Sequence, residues 1–365
     1  MNFINQIEPV YGEEEKKAVA EYMNSGGWLT EFKRTREFEG IIAQYVGSKH
    51  CSVVSNGTAA LMLAYAAIGL KPRDEVLVPD YTFVATASTI SIFGAKPVFV
   101  DIEKQSLCMD FEKTAKAITP KTKAVVLVDI NARYPQKMRE FAKMCKEKGI
   151  WLIEDSAQAL GSNAFGKSLG TWGDIGCYSF STPKIISTGQ GGAVVTNSSE
   201  LYEKMKRIRN FGRESGDADH FVLQGWNFKT TDIQSVIGIE QMKKLPWRVE
   251  RKKQMGKLYW ELLGGIGQLE LTPTDFEQTA LCSYDILLKE KGKKQQLAEF
   301  LAKNAIGSRP FYPPLHSEPA FGLDVRMPVS EEVSQNGLWL PSASNLMDEQ
   351  VGYICSKVKE FFSLA

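Results

Sequence analysis

The chain has 365 residues, with 44 Lys+Arg against 43 Asp+Glu and a hydrophobic fraction of 43%. That length exceeds one small core and suggests a large plus a smaller domain, while the near-zero net charge gives no reason to expect nucleic acid or an anionic membrane as partner. No apolar run reaches the roughly 18 residues a membrane span needs, and the opening Met1-Asn2-Phe3-Ile4-Asn5-Gln6 lacks the basic stretch and apolar core of a secretory signal.

In chain order, residues 51–55 read as a strand and 58–68 as an apolar helix. Residues 75–78, 97–100, 124–128 and 151–153 read as further strands, and 177–180 and 193–195 flank a glycine-rich turn. Short, continuously apolar strands between helical patterns imply a mostly parallel sheet covered on both faces. A helix over 201–209 and a polar loop over 213–224 follow, then a long helical stretch over 232–263, with a kink expected near Pro246. From about 265 the pattern becomes α+β, with strands near 269–271 and 282–288, a helix over 295–303 and a terminal helix over 348–362. The expected division is a large domain, 1–245, and a small C-terminal α+β domain, 246–365.

Six scattered cysteines (Cys51, Cys108, Cys145, Cys177, Cys282, Cys355) read as reduced thiols of a cytoplasmic protein, not as a disulfide framework or zinc site. The three histidines, His50, His220 and His316, share no metal-like spacing with carboxylates, so no metal is expected.

Four segments carry chemistry. Strand 51–55 runs into Asn56-Gly57-Thr58 at a helix start, where backbone N–H groups form an anion site and glycine permits close approach. The plainer reading is a turn and N-cap that binds nothing. Pro79-Asp80-Tyr81-Thr82-Phe83 follows the next strand, so Tyr81 or Phe83 could lie over a planar ring or simply fill the core. Trp151-Leu152-Ile153-Glu154-Asp155 ends an apolar strand in two acids, at the sheet edge where ligands of open α/β folds lie. A carboxylate there can pair with a protonated ring nitrogen; a lone Asp more often caps a helix. Finally, Lys184 lies in Ser179-Phe180-Ser181-Thr182-Pro183-Lys184, ahead of Gly189-Gln190-Gly191-Gly192. A lysine in such a turn can form a Schiff base with an aldehyde cofactor, chemistry that needs a neutral amine.

Taken together, Asn56 to Leu61, Pro79 to Ala85, Glu154-Asp155 with Gln158, and Ser179 to Gly192 resemble the sugar aminotransferases of the DegT/DnrJ/EryC1/StrS family. Gly225-Trp226-Asn227-Phe228-Lys229, Arg309-Pro310-Phe311-Tyr312-Pro313-Pro314-Leu315-His316 and Leu340-Pro341-Ser342 extend the resemblance, in order, over nearly the whole chain. It implies a fold-type I α/β architecture: a mostly parallel seven-stranded sheet sandwiched by helices, and a smaller α+β domain. The implied cofactor is pyridoxal 5′-phosphate (PLP), with pyridoxamine 5′-phosphate as intermediate. Lys184 would hold the cofactor and move the proton, Asp155 would pair with the pyridine nitrogen, Phe83 would stack on the ring and Gln158 would lie near its hydroxyl. Gly57, Thr58 and Ser179 would bind the phosphate, and Asn227 and Lys229 would reach a partner's cofactor phosphate across a homodimer interface. Trp28, Tyr312 and His316 would meet the sugar, although packing between domains or, for His316, a solvated loop serves equally.

The implied reaction moves the amino group of L-glutamate, leaving 2-oxoglutarate, to the keto carbon of a nucleotide-linked keto-6-deoxy sugar, most often C4, for polysaccharide or glycoside assembly. Dehydratases of the same fold have histidine where Lys184 stands, and no Gly-x-Gly-x-x-Gly follows the first strand to suggest a dinucleotide enzyme. The chain departs from the family pattern in three places, one of them Gln190 for a common Glu, where Gly189, Gly191 and Gly192 still set the backbone. Ile130-Asn131-Ala132-Arg133-Tyr134-Pro135 replaces the usual His-x-Tyr-Gly-like turn, which implies an altered sugar pocket, and Lys229 stands where Arg is usual.

Overall fold

Strands β1 (His50–Val54), β2 (Glu75–Pro79), β3 (Lys96–Val100), β4 (Thr122–Val128) and β5 (Trp151–Asp155) alternate with helices in a computed structural model that describes residues 3–215 and 219–364. A short hairpin, β6 (Asn163–Ala164) and β7 (Lys167–Ser168), precedes β8 (Ile175–Ser179) and β9 (Gly192–Thr196). The seven-stranded sheet has the order β1-β9-β8-β5-β4-β2-β3. Strands β3, β2, β4, β5 and β8 pair in parallel, and β9 alone is reversed, antiparallel to both β8 and β1. The carboxyl ends of β1, β2, β4, β5 and β8 therefore share one edge, and Gly192 opens β9 at that same edge, opposite Ser179 and Val54.

Alternate residues explain why these strands are apolar throughout. Val76, Val78, Val126 and Ile153 face the helix Gly57–Ala67, whereas Leu77, Val125 and Leu127 face Phe141 and Met144 of the helix Met138–Lys148. Both faces are dry, so polar alternation would leave unpaired groups in the core. Each such side chain, fully buried, contributes about 1.5–3 kcal/mol.

The helix Asp232–Leu263 runs as one element through Pro246 and past residue 245, where the domain boundary was expected. Its first half (Ile239, Met242, Leu245) packs with β1 and β9 residues, and its second half (Met255, Tyr259, Leu263) enters the C-terminal core. A capping box starts it: the Thr231 hydroxyl accepts from Gln234 N–H and Gln234 reaches back. The C-terminal unit is an antiparallel sheet of β10 (Leu269–Glu270), β11 (Tyr284–Leu288), β12 (Arg309–Pro310) and β13 (Gly337–Leu340), in the order β10-β11-β13-β12. Helices Lys293–Lys303 and Asp348–Leu364 cover it, and the helix Pro328–Asn336, which the sequence reading did not single out, precedes β13. Ile4 bridges to Ile306, tying the N-terminal segment to this unit.

Among the described residues, no helix is long and apolar enough to cross a membrane, and no group of three or more His, Cys, Asp or Glu is placed to hold a metal.

Candidate active site

A cleft of about 780 Å³ opens where the strands end, lined by Gly57, Thr58, Phe83, Asp155, Gln158, Ser179, Lys184 and Tyr312 among others. Seven of these residues share one cavity because the large sheet delivers the ends of β1, β2, β5 and β8 to one edge, and Tyr312 joins them from the segment after β12 of the C-terminal sheet.

At one end, Asn56 caps the helix Gly57–Ala67, its Oδ1 accepting from Ala59 N–H at 2.8 Å. The first-turn N–H groups beyond the cap have no intrahelical acceptors and carry the positive end of the helix dipole. A Cβ on Gly57 would lie 2.8 Å from Ser179 Cβ, and one on Gly192 would lie 2.6 Å from the Asn56 carbonyl. Only glycine lets β9, the helix start and Ser179 close into so tight a cradle, and its donor set fits a phosphate.

Asp155 is buried at the end of β5. Its Oδ2 accepts from Thr86 Oγ1 at 2.7 Å, which lies 3.0 Å from Thr82 Oγ1, and its Oδ1 accepts from Ala157 N–H at 3.2 Å. Burial pushes the Asp155 carboxyl above the usual range, while Thr86, Ala157 N–H and the attraction of Lys184 oppose that. A buried carboxylate with a lone pair left toward a cleft suits a cationic ring nitrogen, whose charge would replace the lost hydration. Lys184 itself is half-buried in a turn closed by Lys184 N–H to Ser181 O (3.0 Å), Phe180 N–H to Gly191 O (2.7 Å) and Thr188 N–H to Phe180 O (3.0 Å).

Phe83 is half-exposed in the cleft, its ring centroid 5.8 Å from that of Tyr312. Tyr81, the other aromatic of that segment, turns into the core beside Phe311 at 5.5 Å. Gln158 Nε2 lies 3.4 Å from Tyr312 Oη, and burial pushes the Tyr312 phenol up to about 12. Cradle, acid, lysine and aromatic together fit PLP.

Four expected residues do not line this chain's cleft. Trp28 is 68% exposed, its ring 6.1 Å from Phe32. Asn227 lies exposed on the surface, and Lys229 Nζ donates to Asn210 Oδ1 at 2.7 Å. His316 is neither a solvated loop residue nor a cleft residue: it is buried, with Nδ1 2.8 Å from Asp80 Oδ2 and its own N–H donating to Asp80 Oδ1 at 2.8 Å. That pair docks the 309–316 loop onto the end of β2. Two contributors went unassigned in the sequence. Thr86, in the first turn of the helix Ala85–Ile92 and four residues beyond Thr82, has no motif of its own, and Arg309 carries no signal beyond its place in a matching segment. The Arg309 guanidinium lines the cleft over Tyr312 and Trp339, 5.5 and 5.7 Å from the ring centroids.

Residues 9–359 match the model of the DegT/DnrJ/EryC1/StrS aminotransferase family. The chain is 34% identical over 363 residues to GDP-perosamine synthase of Vibrio cholerae, covering 98% of each chain. It is 33% identical to dTDP-4-dehydro-2,3,6-trideoxy-D-glucose 4-aminotransferase of Saccharopolyspora spinosa, covering 98% of this chain and 96% of that one. Among solved structures, it superposes on the aminotransferase TlmJ of Streptoalloteichus hindustanus with a TM-score of 0.94 at 30% identity, covering 100% of both chains. Helicobacter pylori PseC, an aminotransferase involved in pseudaminic acid biosynthesis, gives 0.93 at 29% identity, again with 100% of both chains covered. The chain belongs to the DegT/DnrJ/EryC1/StrS aminotransferase family and is a pyridoxal-phosphate-dependent aminotransferase of the α/β fold-type I architecture.

Proposed function

We propose that this cytoplasmic enzyme transfers the amino group of L-glutamate to the keto carbon of a nucleotide-linked keto sugar, with C4 of a 6-deoxy sugar as the reacting position. The observation that carries the proposal is the meeting of Lys184 and Asp155 in one cleft with the Gly57–Ser179 cradle. The names of the relatives support the substrate class, since they describe amination of GDP- and dTDP-linked sugars.

Bound PLP supplies the electron sink through which an amino group passes from donor to acceptor. Lys184 Nζ takes the proton from the donor's α-carbon and returns one at the carbon that receives nitrogen, acting as base and then acid. Asp155 keeps the ring nitrogen protonated. The start of the helix Gly57–Ala67, with the Thr58 and Ser179 hydroxyls, anchors the phosphate, and Phe83 covers one ring face. Arg309 is the cleft's second cation after Lys184 and meets the substrates' anionic groups, carboxylate or diphosphate. Tyr312 borders the sugar. In a homodimer, Asn227 and Lys229 contribute to the partner's phosphate site, and Trp28 and His316 act from the periphery, His316 by seating the Tyr312 loop on Asp80.

Lys184 weighs against dehydration, for which the same fold uses histidine. The test is a screen with glutamate carrying a labelled amino nitrogen and UDP-, dTDP- and GDP-linked 4-keto-6-deoxy sugars, plus a nucleotide-linked 3-keto sugar, read by mass. Label in a 4-keto substrate is expected. Label only in the 3-keto sugar would refute the C4 assignment, and label in none would refute the substrate class.

A further inference from the structure

The turn after β4, where the chain departs from the family pattern, does not shape the cleft directly: Ile130, Asn131, Ala132 and Arg133 are buried, and none of them lines it. Its polar groups point instead at the C-terminal sheet. Asn131 Nδ2 donates to Ser283 O at 2.6 Å and to Asp285 Oδ1 at 2.9 Å, and its Oδ1 accepts from Ser283 N–H at 2.7 Å. Asp285, 2% exposed, also accepts from Arg133 NH2 at 2.7 Å, Arg133 NH1 at 3.1 Å and Thr272 Oγ1 at 3.0 Å. A buried ion pair so fully hydrogen-bonded holds one geometry, and losing either partner leaves an uncompensated charge.

Asn131 adopts a left-handed conformation, φ 53° and ψ 32°, which asparagine tolerates better than most residues. In that conformation its backbone N–H donates to Gln158 Oε1 at 2.7 Å. A backbone N–H can only donate, so the Gln158 atom facing it must be the amide oxygen. The amide nitrogen is then left on the cleft side, 3.4 Å from Tyr312 Oη. Gln158 consequently presents a donor, not an acceptor, to whatever oxygen lies beside it.

We propose that Asn131 is a positioning residue for the cofactor: clamped to the C-terminal sheet through Ser283 and Asp285, it fixes which end of the Gln158 amide faces the cleft. This rests on the reading that PLP occupies the cleft with its ring oxygen beside Gln158. The seating of the small domain and the hydrogen bonding of the cofactor ring are then linked through one turn. That turn belongs to this chain's own departure from the family pattern.

Asn131→Gly tests the link, because glycine accepts the same backbone conformation and keeps the N–H while removing all three side-chain bonds. PLP affinity should fall at least about tenfold, since a donor to a charged oxygen is weakened. The pH midpoint of the bound cofactor's visible band should rise, as it should in Gln158→Ala. The double variant should lose no more affinity than Gln158→Ala alone, because Asn131 acts through Gln158. Unchanged affinity and midpoint in Asn131→Gly, or losses that add in full, would overturn the proposal. Should the apoprotein melting curve show Asn131→Gly unfolded, Gln158→Glu decides: it still accepts from Asn131 N–H but offers no donor to the cleft. Weaker PLP binding with an unchanged apoprotein melting temperature supports the proposal, and unchanged binding overturns it. If the wild-type protein bound no PLP, the reading of the cleft would fail first, and this inference with it.

Discussion

Asp155 is held where an isolated carboxylate is costly: it is buried at the floor of the cleft, and burial raises its affinity for a proton. Thr86, Ala157 N–H and Lys184 offset only part of that cost. On the proposed reading a cationic ring nitrogen would supply the remainder, which makes the residue one poised for a ligand rather than for the empty fold. Asp155→Asn should therefore reduce the rate of amino transfer from glutamate by about two to three orders of magnitude, the range for one partner of a desolvated charge pair. The apoprotein melting temperature should stay level or rise. Rate assays with glutamate, together with melting curves, check both halves, and a collapse of the apoprotein would mean that Asp155 serves the fold instead. Why this aspartate was legible in the sequence is simple: it ends an apolar strand at the ligand-bearing edge. Thr86 was not, because a threonine in a helix announces nothing until the fold sets it 2.7 Å from a carboxylate.

At the scale of elements, the cradle depends on a contact between the start of the helix Gly57–Ala67 and the end of β8. The Gly57→Ala Cβ would sit 2.8 Å from Ser179 Cβ, which is backbone-anchored and cannot swing away. PLP affinity should drop by about tenfold or more as the overpacked cradle opens, and Ser179→Gly in the same chain should restore part of it; titration of PLP fluorescence quenching measures both. The helix Asp232–Leu263 makes a second prediction. Its Lys252 is buried, donating to Cys282 O at 2.7 Å and to Ser342 O, and burial lowers its ammonium to about 8 from the usual 10.5. Between about pH 8 and 10.5 the unfolded chain binds the proton that the folded chain has lost, so stability from this group rises with pH across that window. Lys252→Met lacks that rise, and its deficit in melting temperature relative to wild type should widen as the pH climbs from 8 toward 10. A constant deficit would mean that Lys252 keeps its ordinary pKa. The strands were readable because each is a short apolar run with a turn behind it. β12, with two residues, carries no such period; nor does the helix Pro328–Asn336. The inward turn of His316 depends on Asp80, 236 residues away.

For the molecule as a whole, residues 56–61, 79–85, 154–158 and 179–192 could be assembled from the sequence because each is local and they recur in family order. The contacts of Asn131 could not, since Ser283 and Asp285 lie 152 and 154 residues further on. Assembly beyond one chain is the remaining scale. Asn227 is exposed and outside its own cleft, as a residue serving a second copy would be. Mixing Asn227→Ala with Lys184→Ala under verified subunit exchange should recover activity that neither variant has, because one hybrid site regains both residues; no recovery would mean that each chain completes its own site. The assignment of Lys184 underlies all of this, and borohydride reduction of the PLP-loaded protein followed by peptide mapping tests it most directly. A phosphopyridoxyl group is expected on the peptide containing Lys184, absent in Lys184→Ala; modification at another lysine, or at none, would contradict that assignment.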